Sequence, residues 1–403
     1  MREGTTVYEQ PPARGRRRRR LRKKRIALAI LAVALAPVAY SYATTMMQPS
    51  SLPLTIRTIE WIRQNGGAGI VSFIEREYYT WTAPSTGGPA LTALPSVGDR
   101  SRVGRPPVTD PDPAPRSPAQ LPPPIDLVIH PALPGEGVWR PVSRDAWGRS
   151  VMVTVFRPDP SYPRVVAYAA WINTRRTQLA LYPGRYEPPG SGGPRGPMMV
   201  PYDQRWRLLA TFNSGFTYSD GQGGFWVDGR SYTPLVAGKA TLLAYRNGRV
   251  AIAPWRGGSR PPGDVVLARQ NASMIVRNGR VPADVFNGDQ QHWGYTLGNA
   301  ILVWRSAVGI DRHGNLIYAA ADYRTVGSLA RMMIDAGAVQ AMELDINAEW
   351  PTFNYYRGHG AREAVLFVPN YQQSAGRYLI PDDRDFFAVY ARTTPGNPGT
   401  PLR

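Results

Sequence analysis

Four charged residues carry the clearest chemistry in this sequence: Arg305, Glu343, Asp345 and Glu349. Arg305 stands between Trp304 and Ser306 in an otherwise apolar run from Ala300 to Ile310. A cation inside a strand needs a partner, because an unpaired buried charge is strongly disfavoured. Its planar fork fits a phosphate or a carboxylate in bidentate fashion. It is therefore either an anion-binding group or half of a structural ion pair, with Asp345 or Asp322 as partner. Glu343 and Asp345 lie two apart on a predicted strand and share a face. Asp345 falls at the end of that strand, before a turn through Asn347 to Glu349. Carboxylates so placed can act as nucleophile, base or acid on a glycosidic bond. They can equally hold a hard divalent cation through oxygen, or form a solvated strand end.

Weaker candidates surround these four. Asn213, Ser214 and Gly215 follow an apolar strand, a position that suits an ordinary turn. Gly221 to Gly229 reads GQGGFWVDG, a glycine-rich hairpin. Glycines let backbone N–H groups approach an anion, but the spacing is not that of a phosphate loop. His292 can serve as a general acid or base, or as a structural hydrogen-bonder. His130, His313 and His359 are widely spaced, and HExxH and HxxxH are both missing from the sequence, so no histidine metal site is expected. GxGxxG and GxxxxGK[ST] are missing too, which argues against nucleotide folds. Asn271-Ala272-Ser273 matches an N-glycosylation triplet, a pattern that arises often by chance.

The elements that must position these residues are mostly strands. Ser150–Phe156, Arg164–Ile172, Trp206–Phe212, Thr241–Arg246 and Val250–Pro254 alternate in the β manner. Asn247-Gly248 and Asn278-Gly279 are hairpin signals between apolar runs. One helix is predicted over Val326–Ala336, with Leu329, Ala330, Met333 and Ile334 at helical spacing. Thr325 is its expected N-cap and Gly337 its C′ residue. Many strands with few helices indicate an α+β domain, mixed and strand-rich, over residues 125–392.

The remaining residues make the chain longer than one typical core needs. With no Cys, disulfides, thiol nucleophiles and Cys-ligated zinc are excluded. The net charge is +19, and residues 1–25 hold eleven Arg/Lys against two Glu. Alone, that basic block suits nucleic acid. The run that follows argues against it: residues 26–47 carry no charge. They span roughly 33 Å as a helix, enough for a bilayer. Flanking cations stay cytoplasmic, so the rest of the chain is expected outside a single-pass signal anchor. Ser41-Tyr42-Ala43 offers the other option, a cleavable signal. Residues 51–82 read as two short juxtamembrane helices broken at Gly66-Gly67, with Ile56, Ile59 and Ile62 on one face. Residues 83–124 read as a Pro-rich linker and 393–403 as a disordered tail.

The motifs resemble the phosphodiester glycosidase family. Its members carry an NGGFF-like turn, an arginine-led strand of the type RTAIG, a helix, and a strand of the type GAxxAxxLDGGGS. The corresponding pieces here are Asn213-Ser214-Gly215-Phe216, Arg305-Ser306-Ala307-Val308-Gly309 and Gly337 to Asp345, in that order. After Asp345 the family's glycine-serine tail is replaced by Ile346-Asn347-Ala348-Glu349-Trp350. The resemblance implies hydrolysis of a sugar-1-phosphodiester in a cell-envelope glycan or glycoconjugate. It implies Arg305 on the phosphate, with Asn213, Gly215, His292 and Asp322 on the substrate side. Asp345 is then base or nucleophile, with Glu349 or Glu343 as second carboxylate. No cofactor is implied, and a divalent cation at the carboxylates stays open. The expected partners are the glycan or sugar-phosphate substrate and the membrane, not nucleic acid. Two other functions compete. One is a non-catalytic module gripping an anionic envelope glycopolymer, and the other is a membrane-tethered interaction protein.

Overall fold

The computed structural model describes residues 14–82, 86–87, 90–95, 121–143, 149–190, 195–286, 293, 302–369 and 373–392. Most of the expected linker, the C-terminal tail and His292 lie outside them. The chain opens with helix α1, Arg14–Met47. Within it, Arg22–Met47 is long and apolar enough to cross a membrane, and none of its most apolar window is buried. Helix α2, Leu54–Ile62, and helix α3, Ala68–Thr82, follow. Between them Asn65 and Gly66 leave helical geometry, Gly66 at φ +91°, which a residue lacking Cβ adopts freely. The expected break at the glycine pair is present.

The rest is strand-rich with few helices, as the turn-separated alternation requires. One sheet of seven strands runs in the order β1 (Arg140–Pro141), β2 (Val151–Phe156), β3 (Ala167–Ile172), β13 (Leu316–Arg324), β12 (Val303–Ile310), β14 (Gln340–Glu343), β11 (Met274–Arg277). A second runs β7 (Arg230–Thr233), β6 (Phe225–Val227), β10 (Val265–Gln270), β8 (Ala240–Tyr245), β9 (Val250–Pro254). A third runs β16 (Glu363–Leu366), β15 (Phe353–Arg357), β5 (Leu208–Asn213), β17 (Phe386–Ala391), β4 (Thr177–Tyr182). The central pairs β12 with β13 and β12 with β14 are antiparallel, which places Ala307 opposite both Ala319 and Glu343. Asn247-Gly248 joins β8 to β9, as its sequence predicts.

The seven-stranded sheet is covered on both faces. On one side Val151, Val153 and Val155 meet Phe212, Leu242 and Phe353 from the other two sheets. On the other, Ala307, Ile317, Ala319 and Ala341 receive helix α5, Val326–Asp335, through Leu329, Ala330 and Met333. Double coverage explains why β2 and β3 are buried along their whole length, where a half-exposed strand would alternate. Thr325 caps α5, with Ser328 completing a reciprocal capping box. Gly337 ends it at φ +96°. A single helical turn, α4 (Tyr218–Gly221), lies between β5 and β6.

Candidate active site

The ends of β5, β12, β14 and β17 meet, and their side chains build the site. Arg305 on β12 and Glu343 on β14 form an ion pair of 2.5 Å, with side chains 2% and 0% exposed. Arg305 Nε also donates to the Arg324 carbonyl at 2.8 Å. The partner of Arg305 is thus Glu343, correcting the expected pairing with Asp345 or Asp322. Cross-strand geometry accounts for this. With Ala307 opposite Glu343, Arg305 and Glu343 are diagonal neighbours on one face of the sheet. Burial pushes the Glu343 carboxyl up to about 7, against the pull of Arg305.

Asp345 takes a different cation. Its Oδ2 accepts from Arg384 Nη2 at 2.5 Å, and Oδ1 accepts from Asn347 N at 3.0 Å. Burial raises the Asp345 pKa, while Arg384 lowers it. Arg384 begins β17's approach within Asp382-Asp383-Arg384-Asp385, and each of these four charges holds a separate partner. Asp382 binds Arg377, Asp383 binds Arg185, Arg384 binds Asp345 and Asp385 binds Arg269. This net fixes the Arg384 guanidinium 4.7 Å over the Trp350 ring. Nη2 also reaches the Gly215 carbonyl at 3.3 Å, while Nε, though buried, has no hydrogen-bond acceptor among the described residues. Glu187 stands in the same charge field, its pKa raised by burial and lowered by Arg384.

Asn213 and Gly215 sit close to Asp345 but serve the frame. Asn213 Nδ2 donates to Ser306 Oγ at 3.0 Å, and Ser306 Oγ donates to the Asp345 carbonyl at 2.7 Å. Asn213 Oδ1 accepts from Tyr318 Oη and Thr352 N. With its amide so committed, Asn213 is only 3% exposed. A Cβ at Gly215 would stand 3.0 Å from the Asn271 side chain, so glycine is what permits this approach. Asn271 is itself 1% exposed, bonding Phe216 N and the Glu343 carbonyl, which closes it to glycosylation in the folded chain. Asp322 bonds Tyr323 N at 2.8 Å. Among the described residues no ion pair joins Asp322 to Arg305 or Arg384. His292 lies outside them.

Residues 48–62 cover this site. Leu52 and Ile56 pack on Trp350 in a cluster of their own. Ser51 bonds Asp382, Gln48 bonds Tyr186, and Arg185 bonds the Pro49 carbonyl. Between α2 and the domain remains a cavity of about 50 Å³, bounded by Glu60 and Trp61 on one side and Glu187, Trp350 and Arg384 on the other. Ligand pockets commonly run from about 300 Å³ upward, so a sugar phosphate enters only if α2 shifts. Glu349 is 7% exposed. Burial, with Glu60 and Glu75 nearby, pushes it up to about 8. Among the described residues no three His, Asp or Glu gather as metal ligands.

Residues 207–345 match the phosphodiester glycosidase family. The matched span holds Asn213, Gly215, Arg305, Glu343 and Asp345, whereas Glu187, Glu349 and Arg384 lie outside it. Among solved structures, the zebrafish N-acetylglucosamine-1-phosphodiester alpha-N-acetylglucosaminidase catalytic domain, auto-inhibited by its pro-peptide, is similar at 14% identity and a TM-score of 0.40. That similarity covers 63% of this chain and 88% of that one. A hypothetical protein from Synechocystis is similar at 14% identity and a TM-score of 0.35, over 64% of this chain and 65% of that one. No curated protein matches significantly. Arg305 and Asp345 fall within the motifs that resemble this family. Arg384 and Glu187 lie outside those motifs. The one local signal for Arg384 is an arginine among three aspartates at the start of an apolar strand.

Proposed function

We propose that this protein is a membrane-anchored, extracytoplasmic hydrolase of sugar-1-phosphodiesters in cell-envelope glycans or glycoconjugates. The observation that carries the reading is Arg384 beside Asp345 at a cavity edge, with an Nε donor still unused. A phosphate leaving group is already a weak base. It needs charge neutralisation more than protonation, and a fixed guanidinium supplies that. A hydrogen bond to a charged group contributes about 1.5–3 kcal/mol. Realised only in the transition state, this is roughly one to two decades in rate. Arg384 therefore takes the phosphate role expected of Arg305, which instead holds Glu343 and the β14 end in place. Asp345 acts as base or nucleophile at the anomeric carbon. Glu349, protonated at neutral pH by its surroundings, is the second carboxyl. Glu343, whose side chain is 0% exposed, is left to hold Arg305.

The test is turnover of sugar-1-phosphodiesters by the purified full chain, with Arg384→Ala and Asp345→Asn beside it. A loss of about tenfold or more in each variant is expected; unchanged turnover in both refutes these roles. A second reading, a glycan-binding module, draws support from an open hollow of about 700 Å³ on the outer side of β8–β10. Tyr245, Trp255, Arg256 and Arg260 line it, suiting an anionic glycan. Glycan affinity with no hydrolysis of any phosphodiester would favour that reading.

A further inference from the structure

Resting on the phosphodiester reading, we propose that the substrate is a glycosyl-1-phosphoryl lipid held in the bilayer, its lipid being the aglycone. Depth is the first argument. With α1 as the span, Tyr40 and Tyr42 lie towards its outer end, and tyrosines settle at headgroup level. Thr45, only about 4.5 Å further along the axis, borders the cavity that Arg384 and Trp350 border from the other side. The headgroup zone is itself roughly 5–8 Å deep on each side of the hydrocarbon. Arg384 thus stands at the level occupied by the phosphate of an embedded lipid. A soluble glycan gains nothing from a site at that depth.

The second argument is a path. An apolar groove of about 380 Å³ runs between α1 and α2, walled by Pro37, Val38, Trp61 and Ile62. Trp61 lines both the groove and the cavity beside Arg384, so one side chain separates them. Pro37 lies about 7.5 Å below Tyr42 along the helix, within the hydrocarbon. A hydrocarbon tail lying along the α1 wall of this groove, at Pro37 and Val38, directs its phosphate towards Arg384 once α2 shifts to admit the sugar. Helix α3 fits the same orientation. Ile70, Ile74 and Trp81 are 66%, 61% and 95% exposed at helical spacing, an apolar row that an interface buries.

The reaction stays hydrolytic and balanced. Water attacks the anomeric carbon and the bond from C1 to the phosphate oxygen breaks. That oxygen keeps the electron pair, and the water proton passes to Asp345. The products are free sugar and a lipid phosphate monoester.

The test uses the full chain in lipid nanodiscs with hexosyl and N-acetylhexosaminyl 1-phosphodiesters, each made with a polyprenyl and a methyl aglycone. For the accepted sugar, kcat/KM for the polyprenyl form is expected to exceed that for the methyl form by about tenfold or more, because remote binding energy is drawn into catalysis. Filling the groove with Val38→Trp lowers that preference; Ser41→Trp reads the same quantity if Val38→Trp fails to assemble. Equal or greater kcat/KM for the methyl form, or a preference untouched by both variants, overturns the lipid proposal and leaves the phosphodiester reading standing. No turnover of any of these compounds overturns both.

Discussion

Arg305 and Glu343 meet with side chains 2% and 0% exposed, so removing either takes this ionic partner from the other in a buried setting. Breaking such a pair destabilises by about 3–5 kcal/mol, whereas replacing both members with apolar residues is often tolerated. Arg305→Ala and Glu343→Gln are therefore expected to lower unfolding free energy by that amount, and Arg305→Met with Glu343→Leu to regain most of it. Chemical denaturation measures all three. Losses under about 1 kcal/mol for the single variants would mark the pair as loosely held and solvated. Glu349 governs a second prediction. Its carboxyl moves from an ordinary 4.5 to about 8 through burial and neighbouring acids. The folded chain then binds this proton more tightly than the unfolded chain between those values. Stability from this group is fullest below the unfolded value and declines as pH rises towards the folded one. If its proton assists the leaving phosphate, kcat/KM falls above about pH 8, the folded value. A pH–rate profile of Glu349→Gln should lack that limb; an unchanged limb assigns it to another group.

Helix α2 decides whether the site is open. Ile56 is fully buried against Leu52 and Trp350, and an aspartate there would place an unpaired carboxylate in that contact. Ile56→Asp is expected to release residues 48–62 from the domain. Limited proteolysis should then cut within 48–67 faster than in the parent chain, and turnover of a methyl-aglycone diester should rise. Equal proteolysis of the two would show that the polar contacts of Ser51, Pro49 and Gln48 hold the segment unaided. At this scale much was legible. The Thr325 cap, the Gly337 stop, the Asn247-Gly248 hairpin and the break at Gly66 all arise from φ preferences and hydrogen bonds within a few residues. The docking of Ile56 was not legible, because an apolar helical face fits a bilayer, another helix or a domain equally well.

For the whole molecule, the basic tail and uncharged run predict one orientation, with the strand-rich domain outside the membrane. Protease added to intact spheroplasts should digest the domain and spare the N-terminal tail. Protection of the domain would place it on the other side and end the extracytoplasmic reading. The three sheets share one core, a second lies between the seven-stranded sheet and α5, and the candidate site lies where strands from the seven-stranded and third sheets end together. That meeting brings Asp345 to Arg384 across 39 residues and Arg305 to Glu343 across 38.

The sequence alone determined what depends on near neighbours. Strand periodicity, glycine turns, the capped helix, the apolar N-terminal run and the motifs around Arg305 and Asp345 follow from local sterics and pattern. Only the tertiary structure decided which charge meets which. Arg305 and Arg384 are equally cationic in the sequence, but strand register gives the first to Glu343 in a closed core and the second to Asp345 at a cavity edge. Coulomb attraction acts through space and depends on separation and solvent access. Neither quantity exists until the strands have paired.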